Sequence, residues 1–427
     1  MTDMATSARS RSRSARRDTV TLLPDPEPRE VWFPFISVDD HVLEPVTTFR
    51  DRFPSHLRDA APRVEYGYNG DPEIPYWLVE DEQLPIGTVN GAVGRPVTEW
   101  NGAAQTLDDF RAGVSDSRLR LKEMDLVGAW GSVCFPSVIW GFAGRRLSQI
   151  RDREVGLASI KAYNDWMIEE WCAADPDRLI PCQLPWLNDP QVAAQEIRRN
   201  AERGFKAVSF SENPLTAGFP SLHDRSWDPF FAACEETGTA INLHVGSSGM
   251  VTLPDPKSPV EVLIALFPVN AIVASVDWVY SRIPVRFPNI KIVLSEGGAS
   301  WVPMSLERLA RTHRQLEISE VWKAGEPSPA EVLLRNFWFA SLEDPSAFRN
   351  LDTIGSQNVL VECDYPHGDS TWPDTQKVLE SQLAHLPVED VFNICVGNAA
   401  QVYNASLPPV DWFESSARGK DALGLLR

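Results

Sequence analysis

From Ile36 onward, short runs of β-branched and apolar residues alternate with stretches whose apolar positions recur every three to four residues. This is the pattern of repeated strand–helix units on a parallel sheet. The middle of the chain shows it best. Arg178 to Leu184 reads as a strand, and the next segment places Ala193, Ile197 and Ala201 four apart on one helical face before Gly204 ends it. Phe205 to Phe210 is the next strand. Asp228-Pro229 then supplies a cap and a first-turn proline, Phe230 to Glu236 continues the helix, and Gly238 closes it ahead of a strand from Thr239 to His244. Ile36 to Val38, Gly131 to Phe135, Ile290 to Ser295, Phe337 to Ala340 and Val359 to Cys363 bring the strands to eight. Polar residues follow many of these strands, and no G-x-G-x-x-G loop follows the first. The expected fold is therefore a (β/α)8 TIM barrel rather than an open doubly wound sheet.

Two segments do not fit the repeat. Residues 51–122 are too long and irregular for one strand–helix loop, with Pro, Gly and Trp throughout, and are expected to form an insertion or cap over the barrel mouth. Residues 1–30 are rich in Ser, Arg and Pro and are expected to be a disordered, flexible tail, leaving 31–427 as a single barrel domain.

Charge and composition narrow the partners. Fifty-nine acidic against 40 basic residues give a net charge of -19, which repels phosphate backbones and anionic lipid, so neither nucleic acid nor membrane is an expected partner. The longest apolar stretch, Val262 to Val276, is interrupted by Pro268 and Asn270 and is shorter than a bilayer requires. Arg16-Arg17 leads into no apolar core, so no export signal is expected. Cys134, Cys172, Cys182, Cys234, Cys363 and Cys395 contain no C-x-x-C pair and are expected to be reduced, buried thiols of a cytoplasmic protein. Homo-oligomerisation is left open.

The chemistry sits at the strand ends. In Ile36-Ser-Val-Asp39-Asp-His41-Val-Leu-Glu44-Pro45, period two points Asp39 and His41 to one face, where both can bind one ion. Alone, the segment also reads as a helix cap made by Asp40 beside a surface histidine. Other polar strand ends are His244 before Gly246-Ser-Ser-Gly249, Glu296 before Gly-Gly298, and Asp364-Tyr-Pro-His367-Gly-Asp369. Each by itself could be a core histidine or a turn residue. Together they bring several carboxylates and imidazoles to one barrel mouth. Burying Asp39, Glu296 and Asp364 without a cation would cost several kcal/mol per unpaired charge, so a metal is expected. Asp39, His41, Glu44, His244, Glu296 and Asp364, with His367 as a further candidate, make an oxygen-rich set that favours iron or manganese, and it matches the ligand inventory of di-iron sites.

Other chemistry lacks its loops: there is no G-x-S-x-G elbow and no G-x-x-x-x-G-K-[ST] loop. Lys206 lies near the start of its strand and is read as structural. His56, His223, His313 and His385 are read as solvated or capping. Trp301 and Trp372 are candidates for an apolar substrate pocket.

At V-D-D-H-V-L-E-P, N-L-H-V-G, S-E-G-G, C-D-Y-P-H-G-D and the closing G-N-A-A-Q-V-Y-N, the chain resembles the amidohydrolase-related TIM-barrel family over nearly all of Ile36 to Asn404. The resemblance implies a divalent metal held by Asp39, His41, His244 and Asp364, with Glu296 where many members carry a strand-six histidine. The carboxylate-rich version is similar to the branch of nonheme di-iron monooxygenases typified by the diterpenoid hydroxylases of platensimycin and platencin biosynthesis. That branch implies two iron ions, O2, an external electron donor and an apolar substrate linked as a coenzyme A thioester, in antibiotic biosynthesis, with Glu296 and Asp364 as the catalytic pair. The alternative is a mononuclear zinc or manganese hydrolase or decarboxylase, in which Asp364 or Glu296 moves protons.

Overall fold

A computed structural model of the chain describes residues 22–87, 90–99, 105–315 and 321–426. Its strands, in chain order, are β1 (Phe35–His41), β2 (Arg63–Tyr66), β3 (Pro75–Val79), β4 (Glu82–Pro85), β5 (Ala129–Phe135), β6 (Leu179–Gln183), β7 (Ala207–Phe210), β8 (Ala240–His244), β9 (Ile292–Ser295), β10 (Phe337–Ser341) and β11 (Val359–Val361). Eight of them form one sheet in the order β1-β5-β6-β7-β8-β9-β10-β11, with every neighbouring pair parallel. The sheet closes on itself just past β11: the Asp364 N–H donates to the Asp39 carbonyl at 2.9 Å, and the His41 N–H donates to the Tyr365 carbonyl at 2.6 Å. The fold is the TIM barrel that the strand pattern predicts, and the seam that closes it runs through the polar strand ends.

Strands buried on both faces read as continuous apolar runs, and these do. Ile292, Val293 and Leu294 of β9 are all buried, so Ile292→Ala would cost about 2–5 kcal/mol. The helix Pro190–Glu202 is capped by the Asp189 carboxylate, which accepts from the Gln191 and Val192 N–H groups. It packs Ala193, Ala194 and Ile197 inward. Its neighbour Asp228–Thr237 ends at Gly238, whose φ of 69° needs the absent Cβ.

The insertion holds more order than its composition suggests. Strands β2, β3 and β4 form a small antiparallel sheet. Pro75 and Pro85 sit at strand ends, where a missing N–H is tolerated, and runs of four or five residues are too short to show alternation. Residues 90–95 reach the loops after β5 and β11: the Val138 N–H donates to Asn90 Oδ1 at 3.2 Å, and the Val93 N–H to the Pro366 carbonyl at 3.2 Å.

Of the expected tail, residues 1–21 lie outside the described residues. Residues 22–30 are extended and fastened, by the Leu23 N–H on the Gly94 carbonyl, an Asp25–Arg111 ion pair at 2.6 Å and an Arg29–Asp374 pair.

The apolar stretch near residue 262 also departs from expectation. It lies in two successive helices, Val260–Ala265 and Phe267–Tyr280, with Pro268 harmless in the first turn of the second. By length and composition the stretch Val260–Tyr280 would be able to cross a membrane. Ala271, Ala274, Trp278 and Val279 are nevertheless buried against the barrel, while Val260, Ile264 and Val273 are exposed. All six cysteines are free and buried.

Candidate metal centre

β1, β8 and β9 and the segment after β11 deliver their side chains to one end of the barrel. Alternation sends Asp39 and His41 inward, while Asp40 between them faces the seam. There its carboxylate accepts from Ser132 Oγ at 2.6 Å and from the Tyr365 N–H at 2.9 Å. Glu296 and Asp364 both adopt positive φ, 56° and 55°, which an acidic residue rarely does. Strain of that kind at two strand ends marks a functional site.

The imidazoles define the centre. His41 Nδ1 lies 2.9 Å from the Pro136 carbonyl, and His244 Nδ1 lies 2.8 Å from the Val245 carbonyl. A carbonyl only accepts, so each ring carries its proton on Nδ1 and presents a lone pair at Nε2. The two Nε2 atoms are 3.1 Å apart. Asp39 Oδ1 is 3.2 Å from His41 Nε2, Asp39 Oδ2 is 3.4 Å from His244 Nε2, and Asp364 Oδ1 is 3.4 Å from His41 Nε2. Burial lowers the pKa of both rings, His244 to about 3, so neither supplies a second proton. Both carboxylate oxygens of Asp39 and the Oδ2 of Asp364 are buried without a hydrogen-bond partner. Acceptors converge on the space between the two Nε2 atoms and Asp39, while Asp364 Oδ1 is also met by His367 Nδ1. That set fits one divalent cation.

A second layer of acids surrounds it. Glu296 lies 3.7 Å from both His244 Nδ1 and His367 Nδ1, and His367 Nδ1 is 3.0 Å from Asp364 Oδ1. Burial raises the pKa of Glu296, and Asp364 adds to it. Burial, then Glu362 and Asp364, hold Asp39 well above the carboxylate range, and burial, then Asp364, lift Asp369 to about 7. For His367, burial disfavours the charged ring, but Asp364 and Glu296 outweigh it and hold the imidazolium. His367 stacks on His41 at 3.9 Å and Phe142 stacks on His244 at 3.8 Å, fixing both rings.

The fold thus gathers Asp39, His41, His244, Glu296, Asp364 and His367. Glu44 is a different case: Oε1 accepts from the Ser137 N–H at 3.0 Å and Oε2 from Ser137 Oγ at 2.6 Å, so both oxygens are engaged away from the centre. Trp301 also departs from its expected role. Its indole donates to the Gly297 carbonyl and packs edge-on against Phe339, inside the core. Trp372 does line a cavity of about 190 Å³, together with His367, Arg95, Val93, Leu23 and Pro373. Lys206 bonds the Asn404 carbonyl at the opposite strand end, and His56 and His223 pair with exposed acids.

Glu362 and Phe142 escaped the sequence reading, in which Asp369 stands at its strand end without a role. Glu362, buried, accepts from the Glu296 N–H at 3.2 Å. Its position two before Asp364 was a usable signal. Asp369 joins Glu296 and Asp364 in one cluster. Phe142 carries no local signal at all.

The amidohydrolase family model matches residues 141–405, more than half of the chain. Two curated proteins are similar. A 2-amino-3-carboxymuconate-6-semialdehyde decarboxylase of Dictyostelium discoideum is 25% identical over 47% of this chain and 54% of its own length, so the chain spans about half of that relative. A gamma-resorcylate decarboxylase of Rhodococcus jostii is 22% identical over 69% of this chain and 90% of its own length. Among solved structures, an amidohydrolase from Mycobacterium avium subsp. paratuberculosis superposes with a TM-score of 0.70 at 22% identity, over 87% of this chain and 99% of the other. A 5-carboxyvanillate decarboxylase from Sphingomonas paucimobilis does so with a TM-score of 0.58 at 21% identity, over 88% and 100%. At such identities the superpositions establish the fold.

These comparisons overturn the di-iron monooxygenase expectation, and with it the oxidoreductase class and the antibiotic-biosynthesis setting: the curated relatives are decarboxylases, which cleave carbon–carbon bonds without O2 or an electron donor. The geometry gives the reason. With Glu44 engaged by Ser137, the second iron loses a ligand. The resemblance at the strand-end motifs holds at the level of the family, and this chain belongs to the amidohydrolase family.

Proposed function

We propose that the protein is a mononuclear, metal-dependent decarboxylase of a small aromatic or similarly unsaturated carboxylic acid. The observation that carries the reading is the meeting of the His41 and His244 Nε2 lone pairs with the partnerless oxygens of Asp39 and the Oδ2 of Asp364. Those four residues would hold the ion. Manganese is the first choice, since a dihydroxybenzoic acid decarboxylase from Polaromonas with 16% identity and a TM-score of 0.58 was solved with manganese bound; zinc is the second. When bound, the metal supplies a Lewis acid that takes the substrate's oxygens and stabilises negative charge as it develops.

The chain's own groups do the rest. Loss of CO2 breaks the carbon–carboxyl bond and leaves its electron pair on carbon, so a proton must be delivered there. Glu296, whose pKa burial raises, is placed to give it, and the His367 imidazolium beside Asp364 is placed to restore it. Trp372 offers one face of the cavity to a flat ring. Its volume suits a single substituted ring: an apolar cavity of about 150 Å³ is known to take up benzene.

The test uses protein reloaded with manganese or zinc under nitrogen and a panel of hydroxylated benzoic acids. CO2 release, with one solvent deuterium appearing on the product carbon in D2O, is the expected result. Hydrolysis of esters or amides by the same preparation, with no CO2 from any acid, would replace the lyase reading with a hydrolytic one.

A further inference from the structure

The two metal-facing histidines share a support that the ligand set does not reveal. The Pro136 carbonyl that takes the proton of His41 Nδ1 belongs to the Pro136–Ser137 peptide, and the N–H of that same peptide donates to Glu44 Oε1 at 3.0 Å. The Val245 carbonyl that takes the proton of His244 Nδ1 belongs to the Val245–Gly246 peptide, and its N–H donates to Glu212 Oε2 at 2.9 Å. Each imidazole therefore ends a chain of carboxyl, peptide and ring. The two chains come from different strands and different loops.

Both carboxyls are buried, at 1% exposure for Glu44 and 5% for Glu212. Each has a hydroxyl to hold it: Ser137 Oγ at 2.6 Å from Glu44 Oε2, and Ser248 Oγ at 3.3 Å from Glu212 Oε2. Glu212 is anchored further through its backbone, its N–H on Ser247 Oγ at 3.0 Å and its carbonyl taking the Trp278 indole N–H at 2.9 Å. Burying a carboxyl carries a desolvation cost that these hydrogen bonds offset. The physical effect here is clear. A hydrogen bond accepted by a buried carboxyl oxygen draws the peptide N–H outward and increases the negative charge on the carbonyl at the other end of the same amide. That carbonyl then holds the Nδ1 proton more firmly, which fixes the tautomer and makes Nε2 a better donor to a cation. Metal-bound histidines commonly receive this help from a carboxylate directly. Here it passes through one peptide unit.

We propose that Glu44 and Glu212 are positioning residues of the metal centre, each fixing one imidazole with its Nε2 lone pair toward the ion by clamping the peptide that receives its Nδ1 proton. The inference rests on the metal-binding reading of Asp39, His41, His244 and Asp364.

The first measurement is on the wild-type, metal-free protein: long-range 1H–15N spectra of 15N-histidine-labelled chain, which report which ring nitrogen carries the proton. His41 and His244 are expected as Nδ1–H tautomers, assigned by His41→Gln and His244→Gln spectra; an Nε2–H tautomer at either would overturn the proposal for that ring. The second measures manganese affinity by competition with a chelator in Glu44→Met and Glu212→Met, which keep the length and remove the oxygen that accepts from the peptide N–H. Each is expected to weaken binding about tenfold, the low end of what outer partners of a metal centre contribute. Folded variants that bind manganese as tightly as wild type would also overturn it. If one variant fails to fold, the other carries the test independently, because the two relays share no atom. A wild type that takes up neither manganese nor zinc would instead sink the metal-centre reading itself, leaving the tautomers as a separate result.

Discussion

His41 Nε2 and His244 Nε2 face each other at 3.1 Å with Asp39 bridging beneath them, Oδ1 toward the first ring and Oδ2 toward the second. Two neutral imidazoles cannot hydrogen-bond lone pair to lone pair, so the contact is unfavourable without a cation between them. Asp39→Asn removes the bridging charge. Divalent-metal affinity is expected to fall by more than about 100-fold, past the range of outer-shell losses, with the metal counted per chain by mass spectrometry after dialysis. Full metal content in that variant would place the ion elsewhere.

Glu296 separates the roles of ligand and proton donor. If it delivers the proton to carbon, Glu296→Gln keeps its metal and loses about 10²–10⁴-fold in kcat. Metal content and turnover measured on the same preparation decide the matter, since joint loss of both would make Glu296 a ligand.

Stability of the metal-free protein should depend on pH in a direction opposite to that of most proteins. Burial raises Glu44 and Glu212 from 4.5 to about 7 and about 8. The folded chain then holds protons that the unfolded chain has released, so this stabilisation is complete below the unfolded value and is lost as pH rises through 7 and 8. The lowered histidines His41 and His244 act the other way, but their contribution is lost only as pH falls below 6.5. The Tm of chelator-treated protein is therefore expected to drop between about pH 6.5 and pH 8.5, followed by circular dichroism. A level Tm across that interval would mean that both carboxyls ionise freely in the fold.

Arg120 ties the seam to the insertion. Its Nη2 donates to the His41 carbonyl at 2.5 Å and its Nε to the Gly113 carbonyl at 2.9 Å, while the guanidinium lies 4.2 Å over Tyr365. It also lowers the pKa of Asp40, against the larger effect of burial. Arg120→Met strands that buried carboxyl and is expected to destabilise the fold by about 3–5 kcal/mol in urea titration. A loss under about 1 kcal/mol, the worth of an exposed pair, would show that Asp40 is neutral in the fold.

Much of this was legible in the sequence. All eight barrel strands lie where apolar runs sit, because a strand covered on both faces must be apolar along its length. Asp39 and His41 share a face by alternation alone, and Glu362 and Asp364 could have been paired by the same rule. The small sheet of the insertion was not legible, since its strands are too short for periodicity to register. Glu44 was misplaced because it follows β1, where the chain has left the strand and period two no longer says which way a side chain points.

The sequence by itself determined the barrel and which strand ends are polar, because both follow from local periodicity and from the cost of burying charge. Only the tertiary structure decided which of those polar groups meet. The seam between β1 and the segment after β11, the positive φ of Glu296 and Asp364, and the loops that carry Ser137 and Gly246 are products of packing between segments distant in the chain. They turn Glu44 toward a peptide instead of an ion, bring Glu212 beneath His244, and leave two imidazole lone pairs facing one point.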